Sequence, residues 1–166
     1  MPIFSVVDMD DKLLDAAYPL VRSLAPGVSV DDWLTYARKA RMRGGLLGLI
    51  GADNALSGML AYRHEEHLRR GRILHVDSFI TFELSRAAPG RKALCEAAEV
   101  LARKHGCTAI EIRLDRGNYA DVVTARTQGW LGLGHSLESV VFVKSLDNAP
   151  SGLNRCEASV GAAQDN

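Results

Sequence analysis

The chain has 166 residues, of which 47% are hydrophobic and 24% charged, a composition typical of one globular domain rather than of a disordered or fibrous protein. A domain of this length buries enough apolar surface to fold without disulfides or a structural metal. Its 20 basic residues equal its 20 acidic residues, so it lacks the net positive charge that attracts proteins to nucleic acids or acidic membranes. We therefore expect a partner other than a membrane or a nucleic acid.

No stretch of the sequence predicts a membrane span. The longest weakly polar run, residues 44–52, is far shorter than the roughly 20 apolar residues that a bilayer requires. The N-terminus has neither the basic start nor the long apolar core of a secretory signal. Cys95, Cys107 and Cys156 are odd in number and widely spaced, which favours unpaired thiols in a reducing compartment. These features together predict a cytoplasmic protein.

The N-terminal quarter of the chain predicts one strand and two helices. Residues 3–7 are a β-branched run, and Asp10 or the aspartate after it can cap a helix with apolar residues at helical spacing. Ser29 with Asp32 three residues later has the pattern of a capping box, which predicts the start of a second helix. The basic run at residues 38–43 indicates a solvated helix face rather than a binding patch.

After the second helix the pattern changes to that of strands. Residues 46–52 and 56–62 predict a hairpin, with a tight turn between the two strands. Residues 64–72 predict a polar connection. Residues 73–82 are rich in β-branched and aromatic side chains and predict a third strand.

A strand-helix-strand unit is predicted in the middle of the chain. Residues 92–104 place apolar side chains on one helical stripe, and Gly106 stands where a helix commonly ends. Residues 108–114 have the composition of a buried strand. Because a helix connects them, strands 73–82 and 108–114 are predicted to be neighbours or near-neighbours in one sheet.

The C-terminal part is predicted to complete the same domain, which would cover residues 1–146. A helix is expected over residues 119–128, and residues 131–146 are long enough for two closing strands. Residues 147–166 are small and polar, so we expect a disordered tail there.

Short motifs for several other chemistries are weak or do not occur. The sequence HEEH at residues 64–67 has its histidines three apart in a predicted connection, whereas metalloproteases have them four apart on a helix. We therefore expect no metal ion. His75 and His135 stand alone in strand-like runs, which is typical of structural histidines with satisfied hydrogen bonds. The Gly-x-Ser-x-Gly, Cys-x-x-Cys and Gly-x-Gly-x-x-Gly patterns do not occur, so hydrolase, thioredoxin-type and dinucleotide-binding functions have no support.

Residues 75–94, with the helix and strand that follow, resemble the core of the GNAT superfamily of N-acetyltransferases. In that family a strand leads into a turn with the pattern Arg/Gln-x-x-Gly-x-Gly/Ala, and the backbone amides of the turn and helix start hold the pyrophosphate of acyl-coenzyme A. Arg86 matches the first position of this pattern. The order of predicted elements agrees over about residues 3–146. The resemblance implies an α/β fold with a mixed, largely antiparallel central sheet, two splayed neighbouring parallel strands and about four flanking helices.

The resemblance also implies a function, the transfer of an acetyl group from acetyl-coenzyme A to a primary amine of unknown identity. Asp77 stands where many members carry a glutamate that removes the amine proton through water, and Glu83 is an alternative base. The residues expected to hold the cofactor are Phe79, Ile80, Thr81, Arg86, Gly90, Arg91, Lys92 and Asn118. The residues expected to line the acceptor site are Trp33, Tyr36, His135 and Glu138.

Three positions depart from the family pattern. Pro89 and Arg91 occupy the two small-residue positions of the phosphate turn, and proline has no N–H to donate. Ala125 stands where the family often carries a tyrosine that protonates the departing thiolate. A non-catalytic module that binds a ligand or a protein partner is therefore a second interpretation. A homodimer is compatible with both interpretations, the acetyltransferase and the non-catalytic module.

Overall fold

The computed structural model describes residues 4–82, 88–115 and 139–146. Within these residues six strands form one sheet, and three helices pack against it. In chain order the elements are β1 (Phe4–Asp8), α1 (Asp11–Leu24), α2 (Val30–Arg43), β2 (Gly44–Gly51), β3 (Leu56–His67), β4 (Gly71–Thr81), α3 (Pro89–Lys104), β5 (Ala109–Asp115) and β6 (Ser139–Ser145).

The six strands lie side by side in chain order, from β1 at one end to β6 at the other. Each neighbouring pair is antiparallel except β4 and β5, which are parallel. The predicted α/β fold with a largely antiparallel sheet is thus confirmed. The described residues hold three helices rather than about four, because the helix predicted over residues 119–128 lies outside them.

The first two helices begin where their capping residues predict. Asp10 precedes α1, and its carboxylate accepts a hydrogen bond of 2.9 Å from the backbone N–H of Leu13. Ser29 and Asp32 form the predicted capping box at the start of α2. These bonds satisfy N–H groups that have no partner inside the helix. Both helices then pack on one face of the sheet, where Trp33 is among the buried side chains.

The prediction of a polar connection at residues 64–72 was wrong. Strand β3 continues to His67 and β4 begins at Gly71, so only residues 68–70 form the turn. The polar composition misled the prediction because backbone hydrogen bonds between the strands, and not burial of side chains, hold this end of the hairpin. Gly71 has a positive φ of 71°, a conformation that favours glycine.

Helix α3 connects β4 to β5 and packs on the face of the sheet opposite α1 and α2. Its buried residues Leu94 and Ala98 contact the core beside Leu74 and Val76 of β4. The predicted strand-helix-strand unit is therefore confirmed, and its two strands are direct neighbours. Helix α3 begins three residues before the predicted range, at Pro89.

The two parallel strands separate along their length. They pair from Ile73 and Ala109 to Val76 and Ile112, and the pairing then stops although both strands continue. The predicted splay is thus confirmed. Among the described strands, residues 78–81 of β4 pair only with β3.

Two further predictions fall wholly or partly outside the described residues. Of the closing strands predicted within residues 131–146, the structure describes β6, and the expected tail at residues 147–166 is not described. None of the helices in the described ranges combines the length and the apolar character that crossing a membrane requires.

Candidate active site

A cleft of about 380 Å³ opens where β4 and β5 separate. Its walls are residues 79–82 at the end of β4, Ile112 and Leu114 of β5, and Arg91 and Cys95 of α3. The first turn of α3 therefore lies at the cleft, and a helix start favours bound anions. Burial raises the pKa of the Cys95 thiol, so this side chain is a neutral part of the wall rather than a nucleophile.

The backbone of β4 directs hydrogen-bonding groups into this cleft. The N–H of Phe82 donates to the carbonyl of Ser57 at 3.0 Å, so the backbone groups of Phe82 face β3. Alternate residues of a strand direct these groups to opposite sides. Phe79 and Thr81 therefore direct their backbone N–H and C=O groups toward the gap left by β5.

The start of α3 has the features of a site for a negatively charged group. Ala88, the residue before the helix, has no side-chain oxygen to cap it, and the first turn holds no acidic residue. Gly90 is buried, and the exposed side chain of Arg91 lines the cleft. Lys92 is also exposed, with its amine 3.8 Å from the carboxylate of Glu96. The described part of this turn thus brings two cations to the helix start.

Asp77 lies at an irregularity in the pairing of β3 with β4. Ala61 pairs with Ser78 and Tyr62 pairs with Val76, so Asp77 has no opposite residue in β3. A bulge of this kind changes the direction of a side chain and twists the strand. It also stands at the position where β4 stops pairing with β5. Asp77 is therefore the first residue of β4 beyond its pairing with β5.

The carboxylate of Asp77 belongs to a group of charged residues that we call the charge cluster: Arg63, Glu65, His75, Asp77 and Glu111. Arg63 forms ion pairs with Asp77 and, at 3.1 Å, with Glu65, and the hydrogen bond that it donates to Asp77 raises the pKa of the Arg63 guanidinium. Nε2 of His75 lies 3.4 Å from Asp77, and Nδ1 lies 3.6 Å from Glu111. The cluster spans β3, β4 and β5 because Arg63, His75 and Glu111 stand opposite one another.

His75 is not the satisfied structural histidine that the sequence suggested. Only 2% of its surface is exposed, and within the described residues neither ring nitrogen makes a hydrogen bond. A buried imidazole without hydrogen bonds is energetically costly, and the carboxylates of Asp77 and Glu111 lie beside its two ring nitrogens. No group of histidine, cysteine and acidic residues in the described ranges has the geometry of a metal site.

A second cavity, of about 320 Å³, lies between α1, α2 and β4. Trp33 and Tyr36 of α2 both line it. Trp33 is buried, and its indole N–H donates to the carbonyl of Leu14 at 2.8 Å. The hydroxyl of Tyr36 forms a hydrogen bond of 3.1 Å with the hydroxyl of Ser78 on β4, and burial raises the pKa of the Tyr36 phenol. We call this space the α2 cavity.

The cleft and the α2 cavity adjoin each other. Leu24 at the end of α1 and Ile80 of β4 line both spaces. A group bound in the cleft can therefore meet a group bound in the α2 cavity near the side chain of Ile80. This arrangement suits a reaction between two ligands that enter from opposite sides.

Several predicted site residues fall outside the described ranges, so the structure does not place them. They are Glu83, Arg86, Asn118, His135 and Glu138. Sequence reasoning missed Arg63, Ser78 and Glu111, which join the site through the pairing of strands. Nothing in their local sequence marks them.

Comparisons of sequence and of structure gave different results. No family model and no curated protein matches the sequence. Solved structures do match, among them a GNAT-family acetyltransferase from Staphylococcus aureus, with a TM-score of 0.61, 8% identity and coverage of 87% of this chain and 99% of that one. An aminoglycoside N-acetyltransferase in complex with CoA has a TM-score of 0.60 and 16% identity, and covers 84% of this chain and 91% of its own.

A third match is Naa50 from Arabidopsis thaliana in complex with the bisubstrate analogue CoA-Ac-MVNAL. Its TM-score is 0.57 at 13% identity, with coverage of 86% of this chain and 99% of that one. The matches extend over nearly the whole length of the solved chains. The chain therefore has the fold of GNAT acetyltransferases, which confirms the resemblance at the level of the fold.

Proposed function

We propose that this chain transfers an acetyl group from acetyl-coenzyme A to a primary amine. The observation that carries the proposal is the cleft beside the first turn of α3, where β4 and β5 stop pairing. An extended ligand with phosphate groups can bind to β4 and to the first turn of α3 at once. The strand offers backbone hydrogen bonds, and the helix start favours negative charge. Coenzyme A, bound in a solved structure of the same fold and part of a bisubstrate analogue in another, is such a ligand.

The cofactor would lie along β4 and end at α3. The backbone groups of Phe79 and Thr81 would pair with the pantetheine arm as an added strand does. The pyrophosphate would lie near Gly90, and the charges of Arg91 and Lys92 would stabilise it. This orientation directs the thioester toward the bulge in β4.

Four further contacts with the cofactor are proposed. The side chain of Ile80 would border the acetyl group, because it lines both the cleft and the α2 cavity. Arg86 and Asn118, outside the described residues, would contact the phosphates and the cofactor respectively. A backbone amide beside Ile80, that of Phe79 or Thr81, would stabilise the oxyanion that forms at the thioester carbonyl.

Asp77 is the proposed base, with Glu83 as the alternative. An aliphatic ammonium group has a pKa of about 10.4, so one proton must leave before its nitrogen can attack. Asp77 would order a water molecule that takes this proton. The amine nitrogen then bonds to the carbonyl carbon and gives up a second proton to solvent, the bond from carbon to sulfur breaks, and the sulfur leaves with the electron pair.

Departure of the sulfur does not require a side chain that acts as a general acid. The family tyrosine is replaced by Ala125, but a thiol has an ordinary pKa of about 8.5, which makes its thiolate a tolerable leaving group. The thiolate can then take a proton from water. Loss of the tyrosine is therefore compatible with turnover.

A second candidate function is a non-catalytic module with the same fold. Pro89 at the first position of α3 favours it, because proline removes one N–H from the helix start. Such a module would bind acetyl-coenzyme A weakly or not at all, or would bind it without releasing thiol.

Calorimetry with acetyl-coenzyme A, followed by an assay of thiol release, separates the two candidates. We expect binding and amine-dependent release, and Asp77→Asn should lower kcat about 100-fold or more, the usual contribution of a general base. Acetyl-coenzyme A should still bind that variant. Asp15→Asn, which removes an exposed carboxylate on α1, is the matched control. Absence of binding at millimolar ligand would refute the proposal, and binding without release across many amines would favour the module.

A further inference from the structure

The α2 cavity is lined mainly by apolar side chains. Of its ten lining residues, seven carry aliphatic, indole or thioether side chains. Val21, Leu24 and Val28 form the wall on the side of α1, and Met59 and Ile80 form the floor on the sheet. The indole N–H of Trp33 is already bonded within the core, so Trp33 offers the cavity only an apolar ring.

The cavity has few polar groups, and these are already hydrogen-bonded to other groups of the protein. The carboxylate of Asp32 accepts a hydrogen bond from the hydroxyl of Ser29 at 2.6 Å, as part of the capping box. Tyr36 and Ser78 are hydrogen-bonded to each other. No lysine, arginine or histidine is among the described residues that line the cavity. A phosphorylated or many-hydroxyl ligand would therefore lose more hydrogen bonds to water than these residues return.

The polar end of the cavity faces the proposed reaction centre. Ser78 follows the bulge residue Asp77 in β4, and Ile80 separates the cavity from the cleft. An amino group at the hydroxyls of Tyr36 and Ser78 would therefore lie beside the proposed base. The rest of the molecule would extend between α1 and α2, away from the cofactor.

We propose that the acceptor is a primary amine with a compact apolar body, such as an alkylamine or an arylalkylamine. This inference rests on the acetyl transfer proposed above and names the acceptor of that reaction. A volume of about 320 Å³ holds roughly ten non-hydrogen atoms, taking about 30 Å³ for each water-sized group. The apolar body packs against Trp33 and the aliphatic wall, and the amino group points to Tyr36 and Ser78.

A series of straight-chain amines tests this class of acceptor. Each methylene buried in an apolar site improves binding by about fourfold, so kcat/KM should rise by about that factor per carbon from propylamine to hexylamine. Pentylamine should exceed its isostere 4-amino-1-butanol at least tenfold. Glucosamine should be a poor acceptor. A flat series, or a preference for the polar amines, would overturn the inference while leaving acetyl transfer intact.

Variants that fill the cavity test its location. Val21→Phe and Val28→Phe, on a helix and in a loop, should each raise KM for hexylamine about tenfold or more and leave KM for acetyl-coenzyme A within twofold. Val100→Phe, at an exposed position of α3, is the matched control and should change neither constant. Thermal unfolding of each variant identifies loss of folding. Unchanged KM values for hexylamine in both folded cavity variants would overturn the inference.

Two other outcomes have separate meanings. The cavity could instead receive a long acyl chain of the cofactor, and wild-type protein that prefers hexanoyl-coenzyme A over acetyl-coenzyme A, with Val21→Phe abolishing this preference, would overturn the inference. Absence of acetyl-coenzyme A binding in calorimetry, before any amine is added, would refute the proposed function and this inference with it. The stage at which the experiment fails therefore shows which proposal is wrong.

Discussion

Gly58 of β3 contacts the segment of β4 that is proposed to hold the cofactor, and Gly58→Ala tests this arrangement. A Cβ atom added at Gly58 would lie 2.7 Å from the carbonyl oxygen of Ile80, and 3.2 Å from the side chain of Thr81. Ordinary van der Waals contact begins at 3.4 Å, so the backbone of β4 must move by about 0.7 Å (3.4 minus 2.7). This atom is backbone, and no rotation of a side chain can relieve the contact.

Overpacking of this kind costs about 1–3 kcal/mol. Because about 1 kcal/mol shifts the melting temperature of a protein of this size by roughly 2–4 °C, we expect Gly58→Ala to melt about 2–12 °C below the wild type in a thermal scan. The affinity for acetyl-coenzyme A should also fall, since movement at Ile80 displaces the backbone of Phe79 and Thr81. Gly27→Ala is the control, because a Cβ atom there meets nothing within 4 Å. A Gly58→Ala protein with wild-type melting and wild-type affinity would refute this account of the β3–β4 contact.

Two further predictions concern stability. Trp33→Phe removes the indole donor to the Leu14 carbonyl, which lies inside α1 and keeps its helical hydrogen bond, so the free energy of unfolding should fall by about 0.5–1.5 kcal/mol, the net contribution of one hydrogen bond; an unchanged urea midpoint would contradict it. Burial, then His105 and then Arg72, lower the pKa of His64, so the unfolded chain takes up the proton first as the pH falls below about 6.5. The contribution of His64 to stability is thus present above that pH and is lost as the pH falls through the folded pKa. Between pH 7 and 5 the wild type should lose more stability than His64→Phe, and equal losses would show that this histidine has no such role.

Features set by neighbouring residues could be predicted from the sequence. The starts of α1 and α2 depend on hydrogen bonds between residues three apart, and Asp10, Ser29 and Asp32 make those bonds. The parallel pair of strands follows from the helix between them, since a crossover of this kind has few alternatives. These signals are local, so they can be recognised in the sequence without knowing how the strands of the sheet are paired.

Features set by the register of the sheet could not be predicted. The charge cluster exists because Arg63, His75 and Glu111 stand opposite one another on three strands. A shift of one residue would move each side chain to the other face. Asp77 was proposed as a base from its position in the resemblance, but its contacts with Arg63 and His75 depend on a bulge that no local pattern marks. The α2 cavity likewise depends on how two helices lie on the sheet.

Pro89 departs from the family's sequence pattern, but it disturbs the start of α3 only slightly. The N–H groups in the first turn of a helix have no partner inside the helix, so proline at the first position interrupts no helical hydrogen bond. It removes one potential donor to a phosphate and leaves the direction of the helix dipole unchanged. Arg91 adds charge where the family pattern has a small residue, and Lys92 adds a second charge in the same turn. Recognition of the phosphates would therefore rest more on side-chain charge and less on backbone amides than the family pattern implies.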